Sequence, residues 1–171
     1  MASRGTVEEV IAGGAIRVFG LTGTLLPSVS AWNDPDLWRA AFDGLADGTP
    51  FFAENFLGEQ YRIVEGEVTR WDPDTCDHEL CGADLDGWLA RVRADPAGAA
   101  PLWMHEEWEA THGALSTQNH LAPRVPYVLG GEYSLDNVRD LDSVTDLRLR
   151  ATLATRIRDL PDGASIEFDV P

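Results

Sequence analysis

Residues 51–71 read FFAENFLGEQYRIVEGEVTRW, and no other stretch constrains the fold as tightly. Phe51 and Phe52 open an apolar run, Glu54, Asn55 and Gly58 make a polar bend, and Tyr61 and Ile63 alternate with Gln60 and Arg62. Glu65-Gly66 can turn the chain, and Val68 to Trp71 returns it. Successive side chains of a strand face opposite sides, so period-2 alternation around a Gly-containing loop is a hairpin signal. The stretch carries no reactive constellation. It specifies a scaffold.

The rest of the chain mixes helical and strand periods. Residues 1–30 read as a divergent lead-in that includes a Gly-rich β segment around Ile16 to Leu21. Asn33-Asp34-Pro35 is a helix start, because Asp34 can accept from free amides and Pro35 fits a first turn. Leu37, Trp38, Ala41, Phe42 and Leu45 would then share one helical face. Asp72-Pro73-Asp74 is a turn. Ala83 to Ala94 is a helix with Leu85, Trp88, Leu89 and Val92 on its apolar side, and Pro96 stops it. Residues 95–101 read as a flexible connector, and 97–122 as an insertion in which Leu102, Trp103, Trp108 and Leu115 could line a helix. Pro123 to Tyr133 looks extended, closed by Gly130-Gly131. Ser143 with Asp146 resembles a capping box, opening a helix with Leu149, Leu153 and Ile157 on its stripe. Ile166, Phe168 and Val170 alternate as a final strand. Without a regular βαβ beat, the expected class is α+β: a central mixed or antiparallel sheet with helices around it, in one domain.

Charge narrows the function classes. The 171 residues carry a formal net charge of -16, and all 13 basic residues are Arg. Such a surface repels phosphates, so nucleic acid is not an expected partner, and neither is an anionic membrane. It suits a basic protein. No apolar run has signal-peptide or membrane-span form, and two cysteines without a secretion signal read as free thiols, so a cytoplasmic setting is expected.

Chemical motifs are sparse. Cys76, His78 and Cys81 fall within six residues, but zinc needs about four N or S donors, and the fourth would have to come from His105, His112 or His120. These histidines lack HExxH spacing, and no nucleophile elbow or phosphate-binding Gly loop is present. No metal, cofactor or catalytic residue is assigned on this reading. Asp72, Asp74, Asp77, Glu79, Asp84 and Asp86 put six carboxylates into fifteen residues. Their spacing is not that of a calcium loop. They read either as a patch for a cationic partner or as a solvated loop beside a helix N-terminus.

FFAENFLGEQYRIVEGEVTRWDPDT resembles the core of the SUKH superfamily, the Smi/Knr-like proteins, in Glu54, Phe56, Gly58, Tyr61, Gly66, Val68, Asp72, Asp74 and Thr75. PYVLGGEYSLDN and IRDLPDGASIEFDV are similar to the end of bacterial proteins of this group, and the related GAD-like immunity domains have a similar middle. The resemblance covers about residues 50–95 and 123–170. It implies an α+β fold without enzymatic activity, and an immunity protein that occludes a cognate, basic, nuclease-type toxin. A scaffold for a host protein and a small metal-dependent hydrolase on Cys76, His78 and Cys81 are the alternatives. The partner-binding candidates are Asp72, Asp74, Asp77, Glu106, Glu107, Trp108, Glu132 and Asp136, with acids at the rim and aromatics at the centre.

Overall fold

The computed structural model describes residues 6–161 together with 163 and 164. The architecture is α+β. Six strands form one antiparallel sheet in chain order: β1 (Glu9–Ile11), β2 (Ile16–Val18), β3 (Phe51–Asn55), β4 (Gln60–Val64), β5 (Glu67–Trp71) and β6 (His78–Gly82). The β3–β5 meander is the one the sequence pattern specifies. Glu65 and Gly66, both at positive φ, make its tight turn, and Val64 pairs with Glu67 across it. The expected strand over Ile166, Phe168 and Val170 lies outside the described residues.

Helices cover both faces of the sheet. On one face Phe52, Tyr61 and Val68 pack with Trp88 and Val92 of α2 (Leu85–Ala94) and Met104 and Trp108 of α3 (Leu102–His112). On the other, Phe51 and Trp71 pack with Trp32 of α1 (Val29–Trp32), with Trp38 and Phe42, and with Leu147, Ala151 and Ala154 of α4 (Ser143–Ile157). All five residues of β3 are therefore buried. Strand alternation sends Phe51 and Phe52 to different layers, and a register shift between Phe51 and Ala53 lets Ala53 join Phe52 in the same one. A second antiparallel pair, β7 (Asn119–Pro123) with β8 (Val138–Asp142), is tied to the end of β3 by the Leu121 amide, which donates to Phe56 O at 2.9 Å.

Four local expectations are corrected. Residues 34–47 do not form an α-helix. They run through turns and a 3-10 segment, Arg39–Phe42, that ends at Asp43 in the left-handed region. Asn33 does not open a helix. Its amide group donates to Phe51 O and accepts from Phe51 N, both at 2.8 Å, as a strand would. The large aromatics override helical spacing here. Trp38 lies 5.6 Å from Phe51 and 6.1 Å from Trp71 between ring centroids, which an uninterrupted helix stripe need not reach.

Residues 95–101 are not a flexible connector: they contain a 3-10 turn, Pro96–Gly98, and bury Ala99 and Ala100, while Ala99 O accepts from the Tyr61 hydroxyl at 2.7 Å. The cap of α4 is Asp142, whose carboxylate accepts from Thr145 N at 2.8 Å. Leu149 of the expected apolar stripe is 52% exposed, and the face turned inward carries Asp146, Leu147, Arg150 and Ala151.

Trp71 touches Trp38, Phe42 and Phe51 and has no exposed surface. Trp71→Ala is expected to destabilise the fold by about 3–5 kcal/mol, read as a lowered urea midpoint with an unchanged slope. A loss below about 1 kcal/mol would show that this layer is not part of the cooperative core.

Candidate functional site

Six charged side chains alternate in sign through the interior. Arg17 of β2 donates from Nη1 to Glu54 Oε1 at 3.1 Å, from Nε to Gly14 O, and from Nη2 to the carbonyls of Ser116 and Asn119. Glu54 of β3 also accepts through Oε2 from Gln60 Nε2 at 3.0 Å and His120 Nε2 at 3.2 Å. His120 of β7 donates from its other nitrogen, Nδ1, to Asp146 Oδ2 at 2.9 Å. Asp146 pairs with Arg150 one helical turn on, at 3.0 Å, and Arg150 reaches Asp74 at 3.2 Å and Leu57 O at 2.8 Å. All six are buried.

With a carboxylate at each ring nitrogen, His120 is an imidazolium that donates twice. Burial alone would pull its pKa down, but Glu54 and Asp146 outweigh it and hold it above 6.5. Burial pushes the Glu54 and Asp146 carboxyls up, and their cationic partners reverse this, leaving both below the ordinary carboxylate range. Asp74 differs: burial raises it, and Arg150 does not fully offset the penalty. Gly58 makes room for the imidazole. At φ +90 a Cβ there would stand 2.9 Å from His120 Nδ1.

The line surfaces at Arg150 and Asp74. There it forms part of a cavity of about 210 Å³, with Glu59, Asp72, Tyr127 and Tyr133 around it. Tyr127 and Tyr133 stack at 4.1 Å, and Tyr133 is 55% exposed. Asn137 anchors this loop: its amide group pairs with Val125 N and O, and Gly131 packs so tightly that a Cβ would lie 1.9 Å from Val125 O. A second concavity of about 210 Å³ adjoins the first through Glu59, Asp72 and Thr75 and adds Arg70, Asp77, His78 and Glu79. Burial pushes the Glu59 carboxyl up, since Arg70 at 3.4 Å and the Asn55 amide compensate it only in part.

The expected partner-binding residues separate. Asp72 and Asp77 lie at this double cleft. Asp74 is 3% exposed and committed to Arg150, so it is a structural anchor rather than a rim contact. Glu106 and Glu107 are exposed on α3 and line neither concavity. Trp108 is buried and stacks on His112 at 3.9 Å, whereas Trp103 is the exposed tryptophan of that helix. Glu132 and Asp136 are exposed in the loop that carries Tyr133.

Cys76, His78 and Cys81 do not converge. His78 and Cys81 are three apart on β6 and face opposite sides. Arg62 donates to His78 Nε2 at 2.8 Å, and Cys81 Sγ points at Val68 O. Burial pushes the Cys76 thiol up to about 12 and raises Cys81. Among the described residues no group of three or more His, Cys, Asp or Glu side chains is placed to hold a metal ion, and no helix is long and apolar enough to cross a membrane.

In the sequence Glu54 falls in a polar bend and His120 offers itself only as a possible fourth zinc donor. The available signal was weak: Arg17 between Ile16 and Val18, Glu54 after Phe51-Phe52-Ala53, and Asp146 four residues before Arg150. Neither a protein-family model nor a curated protein matches the chain.

The raised pKa of His120 contributes stability that is complete below the unfolded value of about 6.5 and is lost as pH rises through the folded value. Glu54 and Asp146, both lowered, contribute stability that is present above their ordinary values and lost as pH falls through their folded values. The raised Asp74 and Glu59 act oppositely and offset part of the acid loss. The urea midpoint should therefore be highest from about pH 5 to 6.5 and decline on the alkaline side. His120→Gln is expected to destabilise by about 3–5 kcal/mol and to remove that decline. An alkaline decline unchanged in His120→Gln would refute the assignment.

Proposed function

We propose that the chain is a SUKH-like immunity protein that binds and occludes a basic protein toxin. The carrying observation is the double cleft, in which the four carboxylates Glu59, Asp72, Asp77 and Glu79 outnumber the two cations Arg70 and Arg150 around two adjoining concavities, beside the exposed ring of Tyr133. A guanidinium or ammonium from a partner fits this chemistry. It could lie on the Tyr133 face while Asp72 and the incompletely compensated Glu59 take its charge. The net charge of -16 supports the same reading, because it speeds encounter with a cationic surface at low salt. A nuclease-type toxin presents such a surface where it holds nucleic-acid phosphates, and covering it would block the substrate.

The buried ion line supports a binding role in another way. It engages Glu54, His120 and Asp146 with one another, and its end holds Arg150 and Asp74 in place in the cleft wall. A preformed site loses less conformational entropy on binding.

The test is a pull-down of the purified chain from lysate of its source, washed at rising salt, with bound proteins identified by mass spectrometry. A basic toxin domain released between about 0.1 and 0.5 M salt is expected, with Asp72→Lys and Asp77→Lys each weakening it about tenfold or more. A partner that stays bound at high salt and is indifferent to both reversals would sink the toxin reading and leave the charge as a solubility feature.

A further inference from the structure

We infer that the open edge of β6 is a docking strand for an extended basic segment of the partner, which would join the six-stranded sheet as a seventh strand. The inference rests on the toxin-binding reading and adds where and how the partner attaches. Among the described residues β6 is the last strand of the sheet, so only one of its edges is paired, with β5. In an antiparallel pair, successive residues aim their backbone N–H and C=O groups alternately at the neighbour and away from it. The Asp72 amide donates to Asp77 O at 3.1 Å, so Asp77 faces β5. The register then carries Glu79, opposite Arg70, toward β5 as well, and His78 and Leu80 outward. Among the described residues the backbone groups of His78 and Leu80 have no hydrogen-bond partner.

The side chains at this edge select the occupant. Leu80 is 60% exposed, and His78 beside it is exposed too. Asp77 and Glu79 flank them, and the Glu79 side chain is 68% exposed even with Arg70 paired to it. Charges on an edge strand discourage a like-charged copy from pairing with it. With a net charge of -16 on each chain, a second copy is repelled and a Lys- or Arg-bearing strand is attracted. The second concavity, with Asp72, Asp77, His78 and Glu79 in its wall, abuts the edge. One partner segment can therefore pair with β6 through its main chain and place a cation in the cleft. At the other end of the sheet, β1 is three residues long and its Glu9 is held by Arg93. This makes β6 the better template for strand addition.

The test uses the full chain and a ten-residue peptide of alternating Lys and Val, with a Glu–Val peptide as control. The expected results are saturable binding of the Lys–Val peptide alone, slowed amide exchange at His78 and Leu80, and at least a tenfold loss of affinity in Leu80→Pro. That substitution removes an outward N–H and leaves the β5–β6 ladder and every charge in place. A fold check by circular dichroism and, as an independent readout, the exchange data on the unsubstituted chain guard against an unfolded variant. If Asp77→Lys abolishes binding and Leu80→Pro does not, the edge assignment fails and the acidic-cleft reading stands. If neither variant matters, both fail. Amides of His78 and Leu80 already protected in the free chain would show the edge to be occupied and overturn the inference. So would a dimer in light scattering that Leu80→Pro dissociates.

Discussion

The alternating line Arg17–Glu54–His120–Asp146–Arg150–Asp74 holds together elements that the chain supplies far apart. It joins β2 and β3 of the large sheet to β7 of the small one, then to α4 and the turn after β5. Removing six charges from water carries a heavy desolvation penalty, and only close pairing with full hydrogen bonding repays it. The arrangement meets that condition. Each carboxylate among Glu54 and Asp146 lies between two cations, and Arg17 and Arg150 place their remaining donors on backbone carbonyls. The line contributes more to uniqueness than to net stability. An apolar core could be as stable, but it would not define how β7 and α4 seat on the sheet.

The aromatic layer depends on that seating. Trp38, Trp71, Phe42 and Phe51 meet at centroid distances of 4.9–6.1 Å, and Leu147 and Ala151 of α4 close the layer. The ion pairs orient α4 so that Asp146 and Arg150 face the interior while Leu149 is left exposed. Satisfying the polar interior has taken precedence over burying one leucine, as the penalty for an unpaired buried charge requires.

The cleft is where this interior reaches the surface. Arg150 is shared: its Nε and Nη1 atoms serve the buried line, and its side chain forms part of the cavity wall. Glu59, Asp72, Asp77 and Glu79 therefore gather around an opening whose wall also holds Arg150, Tyr127 and Tyr133, with the β6 edge, unpaired among the described residues, beside it. On the function proposed above, a cationic strand would pair with it through the main chain for affinity and through charge for selectivity.

Local rules were enough wherever a segment's own pattern set its structure. The β3–β5 meander was legible because strand alternation and a Glu-Gly turn act over a few residues. So was α2, which Asp84 caps by accepting from Gly87 N at 2.7 Å. Net acidity needs no fold to be read at all. The roles of the charged residues were not legible, because burial is a property of the assembled layers. Asp72, Asp74 and Asp77 look alike in sequence, yet Arg150, 76 residues after Asp74, takes only Asp74 inside. Helical spacing at Leu37 to Leu45 lost to aromatic packing for the same reason. The sequence by itself determined a hairpin-centred, acidic α+β scaffold. Tertiary structure alone decided which acids are sealed in the ion line and which remain at the surface, since desolvation is set by partners that no local window contains.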